Sequence, residues 1–183
     1  MKTVAIDRIE PADVGSDAEK QSLGEGLGTS DIAINRYRVE PGTRLAGLHA
    51  HADQEEIFVV LDGTLTFETL DGEVTVAAGE AIRFEPGEHQ SGKNDDDGDA
   101  VVLALGAPQD TNELLIPIAC ADCGHDEQRL VGTGTGGALV CADCGTESRP
   151  RCPECDGQDL HAVLGEDGET PVSKCKTCGT EWK

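Results

Sequence analysis

The chain has 183 residues, room for one ordinary domain and a small appendage, which excludes a large multidomain enzyme. Its 36 acidic against 14 basic side chains give a formal charge of −22, which argues against nucleic acid as a partner, because affinity for phosphates comes mainly from Lys and Arg. One Met, one Trp, one Tyr and three Phe complete a halophilic-type, acidic composition, in which carboxylates keep a surface hydrated while concentrated salt screens their repulsion.

Residues 1–30 offer one short apolar alternation, Val4 and Ile6, and then a stretch rich in Gly, Ser, Asp and Glu, so an arm and loop is expected there. Met1 to Pro11 lacks the apolar core of a signal peptide, and no run approaches the roughly 18 apolar residues of a membrane span. A cytoplasmic protein that does not enter a membrane is the expectation. From Asp31 to about Ala104, short β-prone runs alternate with the turn signals Asp62-Gly63, Asp71-Gly72 and Pro86-Gly87. Six or more such strands without a helical period predict an all-β barrel or sandwich. The pattern breaks around Gly106-Ala107-Pro108-Gln109-Asp110, and after Ile118 the composition turns to cysteine, glycine and charge. Three units are expected: a barrel with its arm over 1–112, then small cysteine units over 117–148 and 149–183.

The richest chemistry of the first unit lies at His49, His51 and Glu56. Alternate residues of a strand share a face, so the two imidazoles converge. Glu56 has the wrong parity for an uninterrupted strand, so a turn at Ala52 to Gln54 is required before it can face the same interior. Phe58 and Val60 share that parity, while Ile57, Val59 and Leu61 form an apolar row on the opposite face that needs a cover, from the amino-terminal strand or from a second subunit.

This segment resembles the first motif of the cupin family, G-x5-H-x-H-x3/4-E-x6-G, with His49, His51, Glu56 and Gly63 in register and Thr43 in the slot of the opening glycine. The second motif, G-x5-P-x-G-x2-H-x3-N, is matched by Gly79, Gly87 and Asn94, with Glu85 in place of proline and Gln90 in place of histidine. The resemblance covers about residues 31–108 and implies a double-stranded β-helix, the jelly-roll barrel. It implies one divalent transition metal on His49, His51 and Glu56 with Gln90 as fourth ligand, a set of nitrogen and oxygen donors suited to Fe, Mn, Ni, Co or Zn. A barrel without metal, its polar cluster filled by water, is the alternative. His89 competes with Gln90, but the count from Gly79 puts it one step off, which turns it outward unless a bulge intervenes. The resemblance also favours a homodimer through the barrel. Arg36, Arg38 and Arg44 would grip a carboxylate if they faced the cavity; surface pairing with nearby acids is the preferred reading.

All eight cysteines lie beyond residue 119, in Cys-x-x-Cys pairs. Four thiolates from two tight turns fit tetrahedral zinc, and the separations match zinc sites. Two structural zinc ions are therefore expected, one on Cys120, Cys123, Cys141 and Cys144, the other on Cys152, Cys155, Cys175 and Cys178, in units that resemble zinc ribbons. An inner site from Cys141, Cys144, Cys152 and Cys155 is the other pairing. A redox reading lacks its βαβ context. Gly132 to Gly137 fits G-x-G-x-x-G but lies between ligand pairs, so a hairpin tip is expected, and His125 and His161 are read as surface residues.

Two functions follow. One is a metal-dependent enzyme, an oxidoreductase or isomerase, acting on a small organic molecule; fold resemblance alone does not choose the reaction. The other is a noncatalytic ligand-sensing or adaptor protein whose ribbons contact a partner protein, since residues 119–183 carry 12 acidic against 6 basic side chains, a balance that disfavours nucleic acid.

Overall fold

Strict alternation of buried and half-exposed residues runs through Ala100–Ala107, where Ala100, Val102, Ala104 and Gly106 point inward. That period of two is what a sheet with one face on a core demands. The computed structural model describes residues 1–12, 18–111, 113–132 and 137–183. Its first part comprises β1 (Glu19–Ser22), α1 (Leu23–Leu27), β2 (Ala33–Val39), β3 (Ala50–His51), β4 (Glu55–Asp62), β5 (Thr64–Thr69), β6 (Gly72–Ala77), β7 (Ala81–Phe84), β8 (Ser91–Lys93) and β9 (Ala100–Ala107). The second part comprises β10 (Leu114–Ile116), β11 (Gln128–Val131), β12 (Ala138–Cys141), β13 (Glu147–Ser148), β14 (Leu160–Leu164), β15 (Pro171–Cys175) and β16 (Glu181–Trp182).

The barrel is a five-stranded sheet in the order β1-β2-β9-β4-β7 facing a three-stranded sheet in the order β6-β5-β8. The fold is all-β with almost no helix, a cupin-type jelly roll. Between the two sheets lie all three phenylalanines of the chain, Phe58, Phe67 and Phe84, with ring centroids 4.9 to 6.1 Å apart. Such offset and edge-on contacts add about 0.5–1.5 kcal/mol per pair to what burial contributes. Leu65, Val39, Val60 and Val102 complete this core.

Glycine 63 shows why the turn signals sit where they do. Its φ of +71° suits the turn from β4 to β5, and an added Cβ would lie 2.6 Å from the Asp99 carbonyl, so a side chain is excluded twice over. Just before it, the β4–β9 register shifts between Val60 and Asp62, and the unpaired Leu61 is 52% exposed.

Residues 1–30 hold more structure than expected. Glu19–Ser22 is a strand because its backbone pairs with Ser22↔Asn35 through Glu19↔Arg38 along β2; its polar side chains give no alternation that would announce it. This strand extends the sheet at its edge, separated from β4 by β2 and β9. It therefore does not cover Ile57, Val59 and Leu61.

The two parts are joined by pairing. A five-stranded sheet in the order β13-β12-β11-β10-β3 carries β10, beside β3 of the barrel on one edge and β11 on the other. The third small sheet is β14-β15-β16. Val131 pairs with Ala138, so β11 and β12 run antiparallel as a hairpin requires, while 133–136 of the glycine run lie outside the described residues. Among the described residues no helix is long and apolar enough to cross a membrane.

Candidate metal centre and its cavity

His49 and Gln90 form an antiparallel bridge in which each backbone amide donates to the other's carbonyl, at 3.1 and 2.8 Å. Directly opposed residues in such a pair send their side chains to one face. That face is the barrel interior. Gln90, 3% exposed, lines the cavity, and His89 turns the other way, its Nε2 3.3 Å from a Glu127 carboxylate oxygen in the cysteine-rich part. No bulge reverses the two.

His51 follows His49 by two and sits in β3; after the turn at 52–54, Glu56 enters on β4 with the inward parity of Phe58 and Val60. One ligand atom from each of His49, His51 and Glu56 lies within 4.8 Å of the others. The surrounding groups fix their states. The Gly47 carbonyl accepts from His49 Nδ1 at 2.7 Å, which leaves Nε2 bare. His51 Nδ1 lies 3.3 Å from Thr111 Oγ1, and that hydroxyl donates onward to Asp53 at 2.7 Å, so it accepts from the imidazole and the same tautomer results. Glu56 accepts from the Gln90 amide at 2.9 Å on one oxygen, and its other oxygen lies 3.4 Å from His51 Nε2.

Burial lowers the His49 pKa against a smaller opposing pull from Glu56, so the ring is neutral near pH 7. For Glu56, burial pushes upward but His51, His49 and Gln90 together outweigh it, and the carboxyl ends below its ordinary value. Tyr37 is pushed up to about 12, by burial first and then by Glu56, and stays a phenol. A neutral His49 with a bare Nε2 beside a carboxylate is in the state a divalent ion requires of its ligands.

The cavity around this cluster measures about 260 Å³. Besides the ligand candidates it is lined by Lys20, Asn35, Tyr37, Gln54 and Thr111 among others. These were missed in the sequence. Asn35 and Tyr37 share a parity within β2 and were open to discovery from it; Lys20 and Thr111 were not, because segments far away in the chain bring them in, and Gln54, in the turn between His51 and Glu56, is aimed by its bond to the distant Pro108 carbonyl. Of the three arginines, Arg38 pairs with Asp99 at 2.6 Å, Arg44 with Glu68, and Arg36 donates to Gln21 at 2.8 Å. None of them lines the cavity.

The eight cysteines form two clusters, Cys120/Cys123/Cys141/Cys144 and Cys152/Cys155/Cys175/Cys178. This is the sequential pairing, not the inner one. Sulfur separations of 3.7 and 3.6 Å in the first and 3.4 and 3.6 Å in the second approach the roughly 3.8 Å edge of a tetrahedron with Zn–S bonds near 2.3 Å. In each Cys-x-x-Cys turn the residue after the second cysteine donates its amide to the carbonyl of the first, at positive φ: Gly124, Gly145, Gly179 and, alone among the described non-glycine residues, Asp156. Thr146 at Cys144 and Thr180 at Cys178 pull those thiols down to about 6, the same device in both units. His125 is exposed as expected, but His161 is not a free surface residue: it packs against Gly47 of the barrel.

A family model described as the cupin domain matches residues 35–106. No curated protein matches the chain. Among solved structures, a sugar phosphate isomerase of the cupin superfamily from Silicibacter pomeroyi is 22% identical, with a TM-score of 0.57 over 90% of this chain and 98% of that one. The polyketide cyclase of Streptomyces resistomycificus is 21% identical, with a TM-score of 0.55 over 62% of this chain and 83% of that one. A protein described as a predicted oxalate decarboxylase from Thermotoga maritima is 24% identical, with a TM-score of 0.52 over 58% of this chain and 98% of that one. At these identities the likeness is one of fold.

Proposed function

We propose that this chain, which carries a cupin domain at residues 35–106, is a metal-dependent enzyme acting on a small organic molecule within the barrel cavity. The observation that carries the reading is the convergence of His49, His51 and Glu56 within 4.8 Å, each oriented by a neighbour: Gly47, Thr111 and Gln90 respectively. Gln90 anchors Glu56 and is the fourth polar group of the set. When bound, a divalent transition metal would supply Lewis acidity beside the cavity. The chain's own residues do the rest: Gly47 and the Thr111–Asp53 pair orient the imidazoles, Tyr37 offers a phenol proton to a bound molecule, and Phe58 walls the site against water. The two cysteine clusters hold zinc as structural ions, in keeping with a reducing compartment such as the cytoplasm. A second copy is the cover we assign to the Ile57 and Val59 row, since β1 lies elsewhere in the sheet.

The test is metal analysis of the full chain followed by turnover assays, oxygen uptake and isomerisation, on small organic acids and phenols. Three ions per chain with turnover lost in His49→Ala/His51→Ala is the expected result; turnover unaffected by that double substitution defeats the metal-dependent reading of this site. One observation favours an adaptor as the second reading: the Leu48 amide beside the metal loop donates to Ala162 in the ribbon part, a path from cavity occupancy to a protein-contact surface. Ligand binding without turnover across the same panel selects it.

A further inference from the structure

The rows of the large sheet place one cation in the cavity wall. Cross-strand partners run Lys20–Tyr37–Val102–Val60, then Ser22–Asn35–Ala104–Phe58, then Ala33–Gly106–Glu56, so all of these side chains share the inner face. Glu19, of opposite parity, turns outward and meets Arg38 at 3.6 Å. Lys20 turns inward and is half-buried in the cavity lining.

In a chain of charge −22 acids are plentiful, and four of the barrel's bases, Arg38, Arg44, Arg83 and Lys93, each hold at least one carboxylate, while Arg36 donates to the Gln21 amide oxygen. Among the described residues Lys20 has none within ion-pair distance. Glu56 shares its cavity but lies two rows away and already accepts from the Gln90 amide. An ammonium withdrawn partly from water and left without a counter-charge is costly unless an anion comes to it. Tyr37 and Asn35, beside it on the same face, add a hydroxyl and an amide as hydrogen-bond donors.

We propose that Lys20 is the specificity-determining residue of the cavity and that its substrate is a small organic anion. The anionic group, a carboxylate or a phosphate, pairs with Lys20 and accepts from Tyr37 or Asn35. The rest of the molecule reaches across the cavity toward His49, His51 and Glu56. This deepens the enzyme reading above and rests on it for the position of the reacting end. The binding of the charged end rests on Lys20 alone.

The experiment titrates the full chain, as purified with its metal, with malonate, methyl phosphate and the uncharged malonamide by calorimetry. At least one anion binds the parent while malonamide does not. Lys20→Met weakens that anion about tenfold or more, the scale of a lost charged hydrogen bond, and Lys20→Arg keeps affinity within a few-fold. Whichever anion binds tighter identifies the group as carboxylate or phosphate. Equal affinity in Lys20→Met and the parent, malonamide binding as well as malonate, or a parent that binds neither anion overturns the proposal. Metal content is measured on every sample: a parent without barrel metal defeats the metal reading separately, and anion binding that still depends on Lys20 in such a sample upholds this one.

Discussion

The amide of Leu48 donates to the carbonyl of Ala162 at 2.7 Å, although the two belong to different halves of the chain. Leu48 is fully buried, and the residue before it, Gly47, is both the acceptor for His49 Nδ1 and a point of close approach to β14. A Cβ on Gly47 would lie 2.6 Å from the His161 Cβ and about as close to the Ala162 backbone as any contact tolerates, at 3.1 and 3.2 Å. The second cysteine unit is thus part of the wall that holds His49 in place.

Gly47→Val should therefore push β14 off the barrel and loosen His49 together, at about 1–3 kcal/mol for overpacking a close contact. Thermal unfolding gives the stability loss, and the dissociation rate of the barrel ion gives the functional one. A variant that keeps its ion as long as the parent shows that the contact does not position His49.

Each cysteine cluster should lose its own zinc. Cys120→Ser/Cys141→Ser removes the two buried sulfurs of the first cluster, and zinc measured by native mass spectrometry should fall by one per chain. Because β10 lies between β11 and β3, with Leu114 opposite His51, unfolding that unit also frays the strand carrying a candidate ligand. Barrel-ion affinity should drop as well. The matching pair in the second cluster, Cys152→Ser/Cys175→Ser, acts through Ala162 and should lower it by the other route.

Acid should destabilise the centre even without metal. His49 has a folded pKa below its ordinary 6.5, and Glu56 one below its ordinary 4.5. In both cases the unfolded chain binds the proton more readily, so stability is full above the ordinary value and is lost as pH falls toward the folded one. The melting temperature of protein that keeps zinc on its cysteines but lacks the barrel ion should begin to fall below about pH 6.5 and fall again through the carboxylate range. His49→Gln should remove the upper part of that decline. An unchanged profile in the variant means that another group titrates there.

What was legible in the sequence is what local spacing determines. The Cys-x-x-Cys turns close within five residues, so their positions announced them, and the inward parity of Glu56, Phe58 and Val60 follows from the period of a strand. Lys20, Gly47 and Thr111 were illegible because each acquires its role from a partner far along the chain: Tyr37 for Lys20, His161 for Gly47, His51 for Thr111. Glu19–Ser22 is a strand only because β2 offers it an edge. The break near residue 110 was real as a change of composition, yet backbone pairing runs across it, since hydrogen bonds at a sheet edge ignore side-chain character.

Gln90 and His89 separate positioning from proximity. The Gln90 amide donates to Glu56 inside the cavity, whereas His89 faces Glu127, outside it. Its own pKa is lowered by burial and by His49. Gln90→Ala should free one Glu56 oxygen and weaken ion binding about 10–100-fold, the usual effect of losing a group that orients a ligand. His89→Ala should leave the ion in place and act on the junction with the cysteine unit. Gln90→His reverses the sign, because it puts an imidazole, a stronger donor than an amide oxygen, on the inward face fixed by the His49 bridge. Ion affinities of the three variants, measured by competition with a chelator, should rank Gln90→His above the parent, His89→Ala level with it and Gln90→Ala below. A His89→Ala loss as large as that of Gln90→Ala contradicts the assignment of the inward face.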